Sequence, residues 1–386
     1  MGKNFIMKKF VDISAFKINY ANRGNSALCY GTISFLLERK LLSPGQTIIN
    51  FKYYRNPFRT KSLHAHKEHI KIAGHDWTYI SLPVNGIEKW LLMKFGILLP
   101  FTKYRYYIKN LAYEAAAYGG DGFSDIYGDI LFKSRLGQTL PLMKAKVPLI
   151  ILPQTIGPFQ KESNHNLANN VLKYADRIFV RDSNYVDELK NMHLDFELTK
   201  DLSYFMQPDE LEIDIPQKSI GINVSGLAYS NKFHGLEGQF DAYPALIDRI
   251  ICHFREIGYT IFLIPHSYQY GNPEPNNDDY IACKEAYSRL KNKEGVVFVD
   301  NNLTSPQVKY VISKMSFFIG TRMHANFAAI YTNVPVFGLA YSYKFKGAFN
   351  ANGLDGDKQT AMINNIKEDD IDIIIKKVED FFISIK

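Results

Sequence analysis

At 386 residues the chain is long enough for two domains, each with its own core. Its 46% hydrophobic and 22% charged residues are those of a globular protein, and a net charge of +7 is too mild at this length to indicate nucleic acid, though it suits an anionic substrate or an acidic membrane surface. Three cysteines (Cys29, Cys252, Cys283) without CxxC spacing argue against a disulfide framework or a zinc site, and no apolar run matches a signal peptide or the roughly 18 residues of a spanning helix, so a cytoplasmic protein is expected.

Strand and helix signals alternate almost throughout, which predicts parallel α/β sheets. A loop at 22–24 leads into a helix over 26–39, strands follow over 47–54 and 77–81, and a helical region lies within 87–113. Residues 115–118 read as a strand ending at Gly119 and Gly120, 148–152 and 178–180 as further strands, and 184–191 as a helix. The second half repeats the plan, with strands over 219–224, 260–264, 296–299 and 334–339. Its helices fall over 245–258, 279–290, 305–314 and 369–385. Residues 207–217 are acidic, carry two prolines and read as a linker. The expected architecture is two Rossmann-like domains with parallel sheets facing a central cleft. The N-terminal one spans 1–206, a linker 207–218, the C-terminal one 219–361, and an amphipathic helix within 362–386 packs back on the first domain.

The stretch SFFIGTRMHANFAAIY carries the most chemistry. An apolar strand runs into Gly320, and Thr321 is placed to cap the helix that follows. Arg322 and His324 would then stand in the first helical turn, where unpaired N–H groups and the helix dipole collect anions. Thr321, a guanidinium and an imidazole at that terminus form a receptor for phosphate or carboxylate.

Ligands of such sheets bind beyond the carboxyl ends of the strands, which makes the residues there the candidates. After Tyr118 comes Gly119-Gly120-Asp121-Gly122-Phe123-Ser124-Asp125. Its glycines permit close approach to a ligand, and Asp121 or Asp125 is either a general base or a capping residue. After Leu152, a loop stiffened by Pro153 and Pro158 offers the Gln154 amide to a substrate, or is a plain turn. Arg181 repeats the placement of Arg322, unless it merely pairs with Asp182 while Asp182 or Ser183 caps the next helix. His266 lies beyond another strand end. His64, His66 and His69 share no helix face and have no local carboxylate or thiol partner, so no metal is expected there. Residues 87–109 interleave aromatic and basic side chains. They suit a membrane surface, an acceptor channel, or a helix packed on the core.

Taken together, these loops resemble the polysaccharide pyruvyl transferases over roughly residues 19–350. The matching elements occur in that family's order: NYANRGNSAL, GGDGFSDIYG, PQTIGPF, VRDS, DLSY at Asp201, the strand at 219–224, GTRMHANFAA and YSYKFKG. The resemblance implies a glycosyltransferase-B-like fold. It also implies phosphoenolpyruvate as donor and, as acceptor, a sugar of a surface polysaccharide such as a capsule or exopolysaccharide, or of its lipid-linked precursor. It assigns donor contacts to Arg181, Arg322, His324 and Lys344, and places Gly119, Gly120, Gln154 and Asn25 at the cleft. Asp121 stands where many members carry a third glycine, and Asn25 where an aspartate is common.

For ketal formation, a donor anion would charge His324, which then neutralises or protonates the leaving phosphate. Asp121, Asp125 and His266 are the candidates for the acceptor base. No step demands a metal or an organic cofactor, and peripheral attachment to the inner face of the membrane is compatible with the basic, aromatic stretch. The cations of both halves are expected to converge on the donor. A nucleotide-sugar glycosyltransferase is the competing reading.

Overall fold

The computed structural model describes residues 8–14, 16–54 and 64–386. The chain divides into two compact units, Met1–Ile18 with Leu28–Met206, and Asn19–Ala27 with Gln207–Lys386. The early Asn-Gly loop therefore groups with the second unit, where the sequence reading ran the first domain unbroken to 206.

The first unit runs β1 (Phe10–Ile13), α1 (Arg23–Glu38, opening in the Asn19–Ala27 segment), β2 (Thr47–Tyr53), β3 (His66–Ile72), β4 (His75–Val84), α2 (Gly86–Phe95), α3 (Lys103–Lys109) and β5 (Leu111–Ala116). It continues through α4 (Asp129–Lys144), β6 (Leu149–Gln154), α5 (Glu162–Tyr174), β7 (Arg177–Val180), α6 (Val186–Asn191), β8 (Glu197–Leu198) and α7 (Leu202–Phe205). The strands form one sheet in the order β3-β4-β2-β1-β5-β6-β7-β8, parallel except for the β3–β4 hairpin. Strands β1, β5 and β6 are buried along their whole length, because both faces of the sheet are covered. The expected helical region within 87–113 is two helices and the start of β5. Gly96, in the left-handed conformation, ends the first of them.

Two carboxyl groups lie inside this sheet. Asp12 on β1 is in register with Glu114 on β5. Glu114 accepts a hydrogen bond from Thr139 Oγ1 at 2.7 Å. Burial pushes the Glu114 carboxyl up to about 8, and burial together with Glu114 pushes Asp12 up as well.

The second unit runs β9 (Ser219–Asn223), α8 (Gly226–Ser230), α9 (Tyr243–Glu256), β10 (Thr260–Leu263), α10 (Asp279–Arg289), β11 (Val296–Phe298) and α11 (Ser305–Ser313). Then come β12 (Phe317–Gly320), α12 (Met323–Ile330), β13 (Val336–Ala340), α13 (Lys344–Ala351), β14 (Thr360–Met362) and α14 (Glu368–Ser384). The sheet is wholly parallel in the order β11-β10-β9-β12-β13-β14, the doubly wound Rossmann arrangement with its switch point between β9 and β12. Alternation along β12 sends Phe317 and Ile319 to one core and Phe318 to the other.

Residues 207–217 have neither helix nor strand, yet Leu211, Ile213 and Ile215 alternate and pack on the second of these cores. The terminal helix α14 lays Ile371, Ile374, Val378 and Phe382 on the second unit's own core, where Phe382 meets Phe254 edge-on at 5.2 Å. The fold class is α/β, with two Rossmann-like and mostly parallel sheets. Among the described residues no helix is long and apolar enough to cross a membrane, and no group of three or more His, Cys, Asp or Glu is placed to hold a metal ion.

Candidate active site

The switch point of the second unit sets Asn223, the last residue of β9, beside the end of β12. The Arg322 backbone N–H donates to Asn223 Oδ1 at 2.8 Å. Arg322, and not Thr321, is the N-cap residue of α12. The expected cap is displaced by one position because the Thr321 hydroxyl pairs instead with the Tyr243 hydroxyl at 2.7 Å. His324 keeps its expected place in the first turn of α12.

The Arg322 side chain does not stand open as a fork. Nε and Nη2 both donate to Asp279, the shortest contact being 2.6 Å, and Nη2 also donates to Asn277 Oδ1 at 2.7 Å and to the Asn277 carbonyl at 2.9 Å. Burial alone would lower the guanidinium's pKa. The charge and the hydrogen bonds of Asp279, with smaller contributions from Tyr341 and Tyr243, together outweigh it and hold the value above the ordinary one. Nη1 is the nitrogen left over: among the described residues it meets no acceptor.

Asp279 is fully buried at the start of α10 and joins four segments. Besides Arg322 it accepts from Gly226 N (2.8 Å), Asn223 Nδ2 (3.2 Å), His266 N (3.2 Å) and Ser267 N (2.9 Å). A single carboxylate thus fixes the ends of β9, β10 and β12 relative to α10.

The segment Asn19–Ala27 closes on the same strand ends. Asn22 and Ser267 form an antiparallel bridge, and Arg23 N donates to the His266 carbonyl at 3.0 Å. The Arg23 guanidinium reaches Leu303 O, Tyr20 O and Asn302 Oδ1, and lies 4.3 Å over the Tyr268 ring. Gly24 lies directly against His324: a Cβ at that position would stand 2.5 Å from Nδ1. His266 is 4% exposed, and its Nδ1 is buried without a partner among the described residues. Burial first, then the charges of His324, Arg322 and Arg23, lower its pKa well below the usual imidazole value. His266 is therefore neutral at pH 7. Asn25 and Lys344 are both exposed, in the first turns of α1 and α13.

In the first unit, Arg181 follows β7. Nη1 donates to Asp201 Oδ2 at 2.6 Å and Nε to Thr155 Oγ1 at 3.0 Å, and the Thr155 hydroxyl donates in turn to Asp182. The closer carboxylate is Asp201, with Asp182 at 3.8 Å. Neither Asp182 nor Ser183 caps α6, whose N-cap is Tyr185. Gly120 lies under the guanidinium, since a Cβ there would stand 2.7 Å from Nη1.

The glycine turn and the PQTIGPF loop are one zipped structure, through Thr155 N to Gly120 O and Gly157 N to Phe123 O. Gln154 is fully buried. It donates to Ala116 O and Leu152 O and accepts from Tyr118 N, so its amide ties β5 to β6 and is not offered to a substrate. Asp125 is likewise structural. It accepts from Gln160 N, Lys161 N and Asn164 Nδ2, and these bonds outweigh its burial and hold its carboxyl below the usual range, the opposite of a poised base. Asp121 accepts from the Tyr127 hydroxyl at 2.7 Å, and Gly119 supplies a positive φ of 95°. His66 and His69 fall on β3 three residues apart, hence on opposite faces.

Asp279 and Arg23 escaped the sequence reading. The Asp278-Asp279 pair looks like ordinary helix capping, and Asp278 does cap α10 through Tyr280 N and Ile281 N. Nothing local marks its neighbour as the residue that turns inward.

A two-Rossmann protein of the glycosyltransferase-B kind, with a cationic strand end at the switch point of its second unit, is the class these features define. The chain belongs to the polysaccharide pyruvyl transferase family, whose model matches residues 22–343. That span takes in every candidate discussed above except Lys344. The chain is similar to the amylovoran biosynthesis protein AmsJ of Erwinia amylovora, 23% identical over 265 residues. This match takes in 64% of this chain and 62% of that protein, under two thirds of the relative's length. Among solved structures it is similar in fold to the UDP-GlcNAc 2-epimerase of Methanocaldococcus jannaschii, with a TM-score of 0.54 and 10% identity over 97% of this chain and 92% of that one.

Proposed function

We propose that the protein transfers pyruvate from phosphoenolpyruvate to a sugar of an exopolysaccharide or capsule, or of its lipid-linked precursor. The product is a ketal, and phosphate is released. Family membership supports the reaction class. The observation that carries the donor assignment is the set of groups at the switch point of the second unit, where Arg322 is the N-cap of α12, His324 in its first turn lies against Gly24, and the Arg23 N–H donates to the His266 carbonyl.

Two sugar hydroxyls add through oxygen to the enol carbon of the donor, and the bond from that carbon to the phosphate oxygen breaks. Of the two hydroxyl protons, one ends on the methylene carbon, which becomes methyl, and the other on the departing phosphate. Arg322 Nη1 and the first N–H groups of α12 receive the donor's anionic groups. His324, in the first turn of the same helix, gives a proton to the leaving phosphate. Asp279 keeps the guanidinium in place and takes no part in proton transfer. The role the family resemblance gives Arg181 is a separate proposal, tested by the donor affinity of an Arg181→Ala variant, which should fall.

The test is incubation of the protein with phosphoenolpyruvate and candidate glycans, followed by mass spectrometry. A glycan heavier by pyruvate less water, with phosphate released only when glycan is present, is the expected result. Sugar transfer from a nucleotide sugar, with no ketal formed, would replace this reading by the glycosyltransferase one.

A further inference from the structure

The segment α2 to α3 has two unlike faces. Leu92, Tyr104 and Ile108 anchor it in the core of the first unit. On the outer side Trp90, Phe95, Ile97 and Tyr106 are each about half exposed, and Phe101 is fully exposed at 104%. Phe101 also sits at φ 61°, a left-handed conformation that a bulky aromatic residue adopts only where something holds it there. The turn around it is braced: Thr102 Oγ1 accepts from Arg105 N at 3.2 Å and donates to Leu99 O, and Arg105 Nη1 donates to Leu98 O at 2.8 Å. The ring is therefore held out from the surface on a rigid tip.

Charge identifies what meets it. Lys89, Lys94, Lys103, Arg105 and Lys109 share the segment with a single acid, Glu88. Among the described residues, Lys94, Lys103 and Lys109 lie within salt-bridge distance of no carboxylate. The Lys94 ammonium lies over the Trp90 ring at 5.3 Å and over Phe95 at 5.5 Å, so cation and aromatic rings occupy one patch. Such a surface repels its own copy in a symmetric contact. Apolar rings at a tip, flanked by long cationic side chains able to snorkel, match a bilayer interface bearing anionic headgroups.

We infer that the α2–α3 hairpin docks the protein on an anionic membrane surface, with Phe101 and Trp90 entering the headgroup region and Lys94, Lys103 and Lys109 facing acidic lipid. This goes beyond the transfer reaction and stands whether or not the acceptor is lipid-linked.

Co-sedimentation of the full chain with phosphatidylcholine vesicles, with and without phosphatidylglycerol, tests it. The protein is expected to pellet with the anionic vesicles, less so as salt rises. Trp90 should shift to shorter wavelength on binding, against an unchanged background from Trp77, which is 1% exposed. Phe101→Ser should weaken partitioning about tenfold or more. The triple variant Lys94→Glu, Lys103→Glu, Lys109→Glu should abolish the preference for phosphatidylglycerol. Both variants should melt like the unchanged chain, because the altered side chains lie outside the core. Absence of vesicle binding, or unchanged binding by Phe101→Ser, would overturn the inference. So would a concentration-dependent dimer or a soluble acidic protein partner abolished by Phe101→Ser in a chain that ignores vesicles.

Discussion

Replacing Asp279 by asparagine removes one charge and almost no volume, yet it strikes the residue that joins the ends of β9, β10 and β12 to α10. In the native chain its two oxygens face the Arg322 guanidinium and the N–H groups of Gly226, Asn223, His266 and Ser267. An amide retains one acceptor oxygen and turns an NH2 group against donors. It also leaves a buried guanidinium without its counter-charge, and breaking a buried pair in this way costs about 3–5 kcal/mol. In a unit of this size each kcal/mol lowers the melting temperature by about 2–4 °C, so a fall of ~6–20 °C is expected in scanning calorimetry. Adding Arg322→Met to the same chain should restore part of the loss, because no uncompensated charge then remains. A fall under about 2 °C for Asp279→Asn, or a double variant whose losses simply add, would refute the argument that this carboxylate holds the strand ends through charge.

His324→Ala should leave the melting temperature within a degree or two and reduce transfer at least ~100-fold, the usual scale for a lost proton donor; retained activity would remove His324 from the mechanism. Gly24→Ala should push the imidazole aside, since its Cβ would sit 2.5 Å from Nδ1. The expected loss in kcat is about 100-fold, and an unchanged kcat would mean the ring's position is not critical. Glu114→Gln tests the buried carboxyl pair through pH. The carboxyl titrates near 4.5 in the ordinary state and near 8 when folded. The folded chain therefore holds a proton that the unfolded chain releases. This contribution to stability is complete below about pH 4.5, falls as pH rises, and is lost above 8. Urea midpoints measured at pH 5 and pH 8 should differ less in Glu114→Gln than in the unchanged chain, and equal differences would show that Glu114 is not held protonated.

The second unit was the more legible in sequence. Its strands are short apolar runs covered on both faces, and Gly320 marks where β12 stops. In the first unit the signals were weaker for reasons that the structure shows. β1 is four residues long with Asp12 inside it, which reads as polar although burial and Glu114 push its carboxyl up. α4 carries Gly137 and Pro141 and has no side-chain N-cap. α5 is asparagine-rich, and its start is fixed by Asp125 from the distant glycine turn. Among the candidate residues, the placement of Arg322 and His324 in the second unit, and of Arg181 in the first, after strands could be read from local pattern alone. What could not be read is which partner each one takes. Asn223 and Tyr243, both remote in sequence, shift the α12 cap from Thr321 to Arg322. Asp279 closes the guanidinium's side edge, and Asp201, not the adjacent Asp182, holds Arg181 most closely. Gln154 and Asp125 looked like functional groups because they follow strands in glycine- and proline-rich loops. Their hydrogen bonds show that they build those loops.

Calorimetric titration of phosphoenolpyruvate into the unchanged chain and into His324→Ala tests the donor site most directly. The account predicts one equivalent bound by the first, and affinity weakened at least about tenfold in the second. Equal affinity in both, or binding of a nucleoside diphosphate sugar with none of phosphoenolpyruvate, would contradict it.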